Sequence, residues 1–475
     1  MLTIQGKSGR LCDGPSRREL LRIGGLSLIG LRLPQFLEQQ ARGGPSAKHG
    51  SFGAATGVIL IHLQGSPSHI DLWDPKPSAP EGIRGEFKPI ATNVPGTFLG
   101  EVLPQLARRA DQFALVRSIG VQPRGLANHG AAIYMLLTGH DPLNFSPTGL
   151  AVPASRDDLP AVGSVVARYR PARAEALGYV AVCSPVIEGS VRGVGMFAGI
   201  LGAANDPYQL YDDPTQLIQN KTLTLPADVT LGRLQARLDL RATLADKQAM
   251  RPADFDRFYD KALGLLSSAQ TARAFRLESE PPPLRDRYGA TKFGQSCLLA
   301  RRLIEAGTRF VQVTWPAGSD TEPAEGPDGS WDTHRNNFPM LKNWRCPVFD
   351  KAMAALLDDL GQRGLLATTF VLAIGEFGRS PKIGAPTTAN VGPGGRDHWP
   401  SCYTCLIAGG GVRGGQVFGE SDRNGAHPKT SPVHPYDVIS TVYHAIGIGA
   451  NTTYLDKLNR PRGLVDRGSP LLGLF

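Results

Sequence analysis

Apolar residues along the chain fall into two recurring patterns. Short unbroken runs rich in β-branched residues cover 58–63, 113–117, 179–182, 310–314, 368–374 and 404–408. Runs of this length and composition predict strands buried on both faces, as in a parallel sheet. Between them, longer stretches with helical spacing cover 103–110, 160–168, 231–249, 255–274, 292–306, 348–362 and 435–446. Another helix is predicted to begin at His129 and run to 137, with Asn128 as its cap. Strands alternate with helices throughout, which predicts a layered α/β fold. No internal repeat is visible.

The connecting segments carry their own signals. Residues 186–225 are Gly- and Pro-rich and read as a lid or cap insertion. Glu280-Pro281-Pro282-Pro283 reads as a linker or sharp surface turn. At the N-terminal side, Ser16-Arg17-Arg18-Glu19-Leu20-Leu21-Arg22 precedes a short apolar run that Arg32 ends. That run is too short to span a bilayer, and the pattern is that of an export leader of the twin-arginine kind over residues 1–50. The alternative is an amphipathic helix. The remainder, 51–475, reads as one α/β domain with a helical segment near 229–280.

Composition refines this picture only modestly. The net charge of +9 raises the question of nucleic acid, but residues 1–50 hold eight Lys/Arg against three Asp/Glu. Most of the excess therefore sits in the leader, and no basic stripe or aromatic platform follows it, which excludes a nucleic-acid partner. Contact with a membrane is expected only through that leader. Six cysteines in 475 residues do not make a disulfide framework. Cys402-x-x-Cys405 has redox or zinc spacing, but without a second pair it reads as two ordinary thiols near a strand.

Candidate chemistry gathers where strands end. Five loops there carry Ser66, Ser68, His69 and Asp71; Asn128 and His129; Asp332 and His334; Glu376 and Arg379; and Asp397 and His398. In open α/β sheets, ligands bind beyond the carboxyl ends of strands. Asp and His at such places can hold a divalent ion such as Zn²⁺, Mn²⁺ or Ca²⁺. Arg379 or Arg396 could clamp an oxyanion in a fork of two bonds, and the start of the helix at His129 suits an anion. Each pair alone could equally be a structural brace. Gly409-Gly-Gly-Val-Arg-Gly-Gly415 lacks the Lys-Ser/Thr of a phosphate loop. No Gly-x-Ser-x-Gly elbow is present.

Taken together, Gly65-Ser-Pro-Ser-His-Ile-Asp-Leu-Trp-Asp-Pro-Lys76, Gly85-Glu-Phe-Lys-Pro-Ile90, Asn128-His129, Trp331-Asp-Thr-His334, Glu376-Phe-Gly-Arg-Ser-Pro381 and Gly395-Arg-Asp-His-Trp-Pro400 resemble the DUF1501 family of exported bacterial proteins. That family is grouped with the alkaline phosphatase/sulfatase superfamily. The resemblance implies a three-layer α/β/α sandwich with a mostly parallel central sheet, a metal at the strand ends, and hydrolysis of phosphate or sulfate esters. Departures are specific. Gln64 stands where a metal-binding Asp follows the first strand in related hydrolases, and Glu376-Phe377 stands where they have Asp-His. Arg124-Gly-Leu-Ala127 offers no hydroxyl before Asn128-His129, and Cys183-Ser-Pro-Val-Ile187 lacks the Arg of the sulfatase signature.

The expectation is an exported metal-dependent hydrolase-like protein acting on an anionic ester or glycan. Metal ligands are expected at Asp332, His334, Asp397 and His398, with Glu376 or Asp71 completing the set. Ser66, Ser68, His129 and Arg379 are the candidate catalytic residues. The alternative is a non-catalytic envelope binding protein on the same scaffold.

Overall fold

The apolar runs become strands, and the period-two alternation of their side chains decides the layers. In the computed structural model eight strands form one sheet. They are β1 (Gly57–His62), β2 (Phe113–Ile119), β3 (Tyr179–Val182), β4 (Tyr208–Leu210), β5 (Phe310–Thr314), β6 (Thr369–Ile374), β7 (Tyr403–Ala408) and β8 (Val417–Phe418), in the order β8-β2-β7-β6-β1-β5-β3-β4. Strand β7 pairs antiparallel with β6 and β2, and the other pairings are parallel. The structure describes residues 50–121, 126–142, 151–173, 175–215, 268–316, 329–388 and 391–475, with isolated helical residues between 232 and 243. Ser51–Phe475 form one compact unit. The leader expected over 1–50 lies outside the described residues but for Gly50.

Successive side chains of a strand point to opposite faces. Ile59 and Ile61 of β1, Val311 and Val313 of β5, and Val371 and Ala373 of β6 share one core with α3 (Lys292–Glu305) and α4 (Cys346–Gln362). Val58, Leu60, Phe310, Phe370 and Leu372 share the other with α1 (His129–Thr138), α2 (Val162–Tyr169) and α5 (Pro435–Ala445). The result is an α/β/α sandwich, as expected. Burying both faces of every central strand, at about 1.5–3 kcal/mol per large aliphatic side chain, fixes which face each residue takes. Among the described residues, no helix is long and apolar enough to cross a membrane.

Several local expectations change. The helix predicted over 103–110 is only Pro104–Ala107, followed by a 3₁₀ turn at Ala110–Gln112, because the chain must turn to enter β2. Part of the insertion expected over 186–225 is the edge strand β4, which pairs parallel with β3. Glu280-Pro-Pro-Pro283 is no linker. Glu280 is buried against Arg301 and Arg302, and the prolines open the helix Pro282–Tyr288, where a missing N–H costs nothing. Of the helices expected at 231–249 and 255–274, only Ala269–Ala274 and scattered residues fall within the described part. Cys402 and Cys405 are buried free thiols, both pushed well up by burial.

The sheet aligns three strand ends. His62 is opposite Ile374 on one side and Thr314 on the other, so the segments after β1, β5 and β6 leave the same edge together. Gly65 makes their close approach possible. Its φ of +94° is left-handed, and a Cβ there would meet the backbone nitrogens of Asp332 and Trp331 at 2.6 and 2.8 Å. Gly65→Ala is expected to cost at least about 1–3 kcal/mol through strain and overpacking. A urea unfolding midpoint unchanged from wild type would show that this approach does not constrain the fold.

Candidate metal centre

Three elements hold Asp332 in place. Trp331 is fully buried beside Trp315 and Phe349, with ring centroids 5.0 and 5.8 Å away, and its amide donates to Gln64 O at 3.0 Å. Arg379, also fully buried, donates to Ser66 O at 2.9 Å, to Gly65 O, to Arg396 O at 3.4 Å and to the Asp332 carboxylate. Behind Asp332, the segment 333–337 is sewn to 392–396. Arg396 N donates to Thr333 O at 3.0 Å, Gly392 N to His334 O at 2.8 Å and Asn337 N to Gly394 O at 3.1 Å. A short ribbon pairs Arg379 with His398 and so brings the last loop to the same place.

The outcome is a tight face of three ligand atoms. His334 Nε2 lies 3.0 Å and His398 Nε2 3.4 Å from Asp332 Oδ1, and the two ring nitrogens are 2.9 Å apart. His398 Nδ1 donates to Ala127 O at 2.7 Å, which leaves Nε2 of the neutral ring bare toward this face. Burial lowers the His398 pKa, more than the hydrogen bond to Asp332 raises it, and so favours that neutral ring. On the far side of Asp332, His129 Nε2 lies 3.4 Å from Oδ2, while His129 Nδ1 donates to Glu376 Oε1 at 2.6 Å. Glu376 Oε1 also takes Gly65 N–H at 2.9 Å. Among the described residues, two groups could hold an ion: His129, Asp332 and His398; and His334, Asp397 and His398.

Charge explains the arrangement. Burial alone would raise the Glu376 carboxyl. The hydrogen bond and charge of His129, with the His62 imidazole close by, outweigh it and hold Glu376 far below the usual carboxylate range. Burial likewise opposes ionisation of Asp332, and Arg379 with His129 overcomes it and holds Asp332 well below its ordinary value. Burial would lower His129, but Asp332 and Glu376 on either side raise it to about 10. Between the buried Glu376 and the half-buried Asp332, the metal-free ring thus carries a proton on each nitrogen. Phe377 closes the inner wall, with its ring 4.7 Å from that of His129 and 4.8 Å from that of His398. The open side is Asp332, whose side chain is 30% exposed.

Several expected site residues do other work. Asp71 is not brought to the cluster. Arg396 grips it at 2.8 and 2.9 Å and Asn337 donates to it at 2.8 Å, so its lone pairs are taken by a loop brace. Arg379 and Arg396 are fully buried with their donors turned to backbone carbonyls and carboxylates, which leaves neither free to clamp a substrate oxyanion. Ser66 is fully buried at φ +64°, its Oγ accepting Phe377 N–H at 3.0 Å, and Ser68 is buried ahead of the helix His69–Leu72. Neither presents a nucleophile to solvent. Asp397 lies at the edge of the cluster, 3.6 Å from His334 Nδ1, and most of its capacity goes to the amides of Thr387, Thr388 and His398. Gln64 pairs with both backbone groups of Ile187. The residue missed from the sequence is His62, hidden within an apolar run between Ile61 and Leu63. Its only sequence signal is an imidazole at the end of a β-branched strand.

Two outcomes follow. Asp71→Ala leaves Arg396 buried without its carboxylate and should lower stability by about 3–5 kcal/mol, while the cation content of the folded protein stays unchanged. Denaturant titration and elemental analysis read the two effects. A loss of bound cation without a loss of stability would instead make Asp71 a ligand. In chelator, pH acts through opposing groups. His129, raised from 6.5 to about 10, contributes stability that is full below pH 6.5 and is lost as pH rises through about 10. Glu376, depressed from 4.5, contributes stability present above that pH and lost as pH falls below it. The urea midpoint of the metal-free protein should therefore be highest between those limits, and a midpoint still rising from pH 7 to 10 would contradict the charge assignment.

The sequence of residues 55–475 matches the family described as Protein of unknown function (DUF1501), and the chain belongs to that family. No curated protein matches it. Among solved structures, it is similar to a protein in the alkaline phosphatase superfamily from Vibrio parahaemolyticus, at 12% identity and a TM-score of 0.41 over 85% of this chain and 71% of that one. It is also similar to a sulfatase from Pseudoalteromonas sp., at 14% identity and a TM-score of 0.34 over 85% and 69%. The alkaline phosphatase of the Antarctic bacterium TAB5 shares 12% identity at a TM-score of 0.34 over 78% and 96%.

Proposed function

We propose that this member of the DUF1501 family is an exported, metal-dependent hydrolase of phosphate or sulfate esters, saccharide esters among them, sent out by the twin-arginine route. The observation that carries the reading is the face formed by Asp332 Oδ1, His334 Nε2 and His398 Nε2, with edges of 2.9 to 3.4 Å. Bonds of about 2.0–2.1 Å at tetrahedral angles put ligand atoms roughly 3.3–3.4 Å apart, so these atoms need little movement to share one ion. His334 Nδ1 and His129 Nε2 are also buried without a hydrogen-bond partner among the described residues, as expected of atoms awaiting a cation. Two imidazoles and a carboxylate suit Zn²⁺ or Mn²⁺ better than Ca²⁺.

A divalent ion held there would supply Lewis acidity to an ester oxygen. The chain supplies the rest. Phe377 and the buried strand ends exclude water from the inner side, and the exposed edge of Asp332 admits the ester and the attacking water. Arg379 offsets part of the Asp332 charge, which lowers repulsion of an anionic substrate. With Ser66 and Ser68 buried, water is the nucleophile in this reading.

A second reading is a non-catalytic envelope binding protein. It draws on Arg379, whose guanidinium presses on the same Asp332 oxygen that faces both imidazoles and so competes with a cation. Metal analysis of purified protein, followed by p-nitrophenyl phosphate, bis-p-nitrophenyl phosphate and p-nitrophenyl sulfate with Zn²⁺, Mn²⁺ or Ca²⁺, separates the two. Retained Zn²⁺ or Mn²⁺ is expected, with ester cleavage that falls about a hundredfold or more in Asp332→Asn, the loss of roughly 3 kcal/mol of transition-state stabilisation. Metal without cleavage would favour the binding protein. No metal in wild type would remove the centre.

A further inference from the structure

His62 lies inside the central strand, fully buried, and neither ring nitrogen has a hydrogen-bond partner among the described residues. A core histidine normally satisfies at least one nitrogen on a carbonyl or hydroxyl. Among the described residues it faces the carboxylate of Glu376, whose Oε2 lies 3.4 Å from His62 Nε2. Glu376 divides its two oxygens by task. Oε1 receives Gly65 N–H at 2.9 Å and His129 Nδ1 at 2.6 Å, whereas Oε2 has no hydrogen-bond partner among the described residues and faces His62. From His129 the line continues through Nε2 to Asp332 Oδ2 at 3.4 Å. Four side chains therefore form one file from the sheet interior to the open edge of the centre.

We propose that His62 is a positioning residue for the metal centre, holding Glu376 from within β1 so that Glu376 in turn fixes the ring of His129 against Asp332. The inference rests on the metal reading given above. A carboxylate behind a ligating imidazole sets its tautomer and orientation, and losing such outer partners commonly weakens metal binding 10- to 100-fold. Without His62, the buried Oε2 loses the imidazole that faces it at 3.4 Å. Glu376 then rotates toward any remaining donor and releases Nδ1 of His129. The sheet fixes the placement, because His62 is in register with both neighbouring strands.

The test uses the full chain with His62→Phe, which keeps the volume and removes both nitrogens, and His62→Gln, which restores a donor. Zn²⁺ affinity is measured by chelator competition, and the hydrogen bonding of the two His129 ring nitrogens by long-range ¹H–¹⁵N spectra of the metal-free, histidine-labelled protein. His62→Phe should weaken Zn²⁺ by about 10- to 100-fold and shift the His129 nitrogens, and His62→Gln should recover most of both. Near-UV circular dichroism confirms that each variant folds. Unchanged His129 nitrogens in a folded His62→Phe protein would overturn the proposal, as would a His62→Gln variant no better than His62→Phe. Should wild type bind no Zn²⁺, the metal reading fails by that result, and the spectra still decide whether His62 governs His129.

Discussion

The centre depends on one buried cation. Arg379 has no exposed surface, yet it touches the loop after β1 through Gly65 and Ser66, the segment carrying Asp332, and the loop carrying Arg396. A guanidinium presents a rigid planar fork of donors and cannot lose its charge. It can therefore satisfy several carbonyls and a carboxylate at once in a place where water cannot. Each of those groups would otherwise be a buried orphan. The loops are held in common because they share the donors of a single side chain.

Arg396 repeats the device one layer further out, with Asp71 as its counter-ion and carbonyls of Ser380, Pro381 and Ile83 as further acceptors. The two arginines let acidic residues gather without mutual repulsion deciding the structure. Asp332 and Glu376 stay ionised although buried, and the imidazole between them takes a proton when no metal is present. Arg379 and His129 thus offset the charges of Asp332 and Glu376, and the strand register brings these groups together.

Much of the scaffold was legible beforehand. Strands 179–182 and 310–314 were predicted to the residue, because parallel central strands leave an uninterrupted apolar signature. The cap at Asn128 was legible too, and its side chain accepts Ala131 N–H at 3.0 Å. Edge elements were not. The strand Tyr208–Leu210 is short and half-buried, so its pattern is that of a loop. The triprolyl stretch signals both a turn and a helix start, and only the burial of Glu280 against two arginines separates them.

At the site, the sequence by itself determined which residue types stand at the strand ends, and so that Asp332, His334, Glu376, Asp397 and His398 were worth joining. It could not rank them, because a ligand and a brace look alike until their partners are known. Asp71 and Arg379 have the chemistry of a ligand and a clamp, and tertiary contacts assign both to holding loops. His62 has the sequence context of core, and pairing with Glu376 across β1 and β6 gives it a polar partner. The physical reason is the same in each case. Local sequence sets what a side chain can donate or accept, while only the folded chain decides which partners, from residues hundreds of positions away, reach it first.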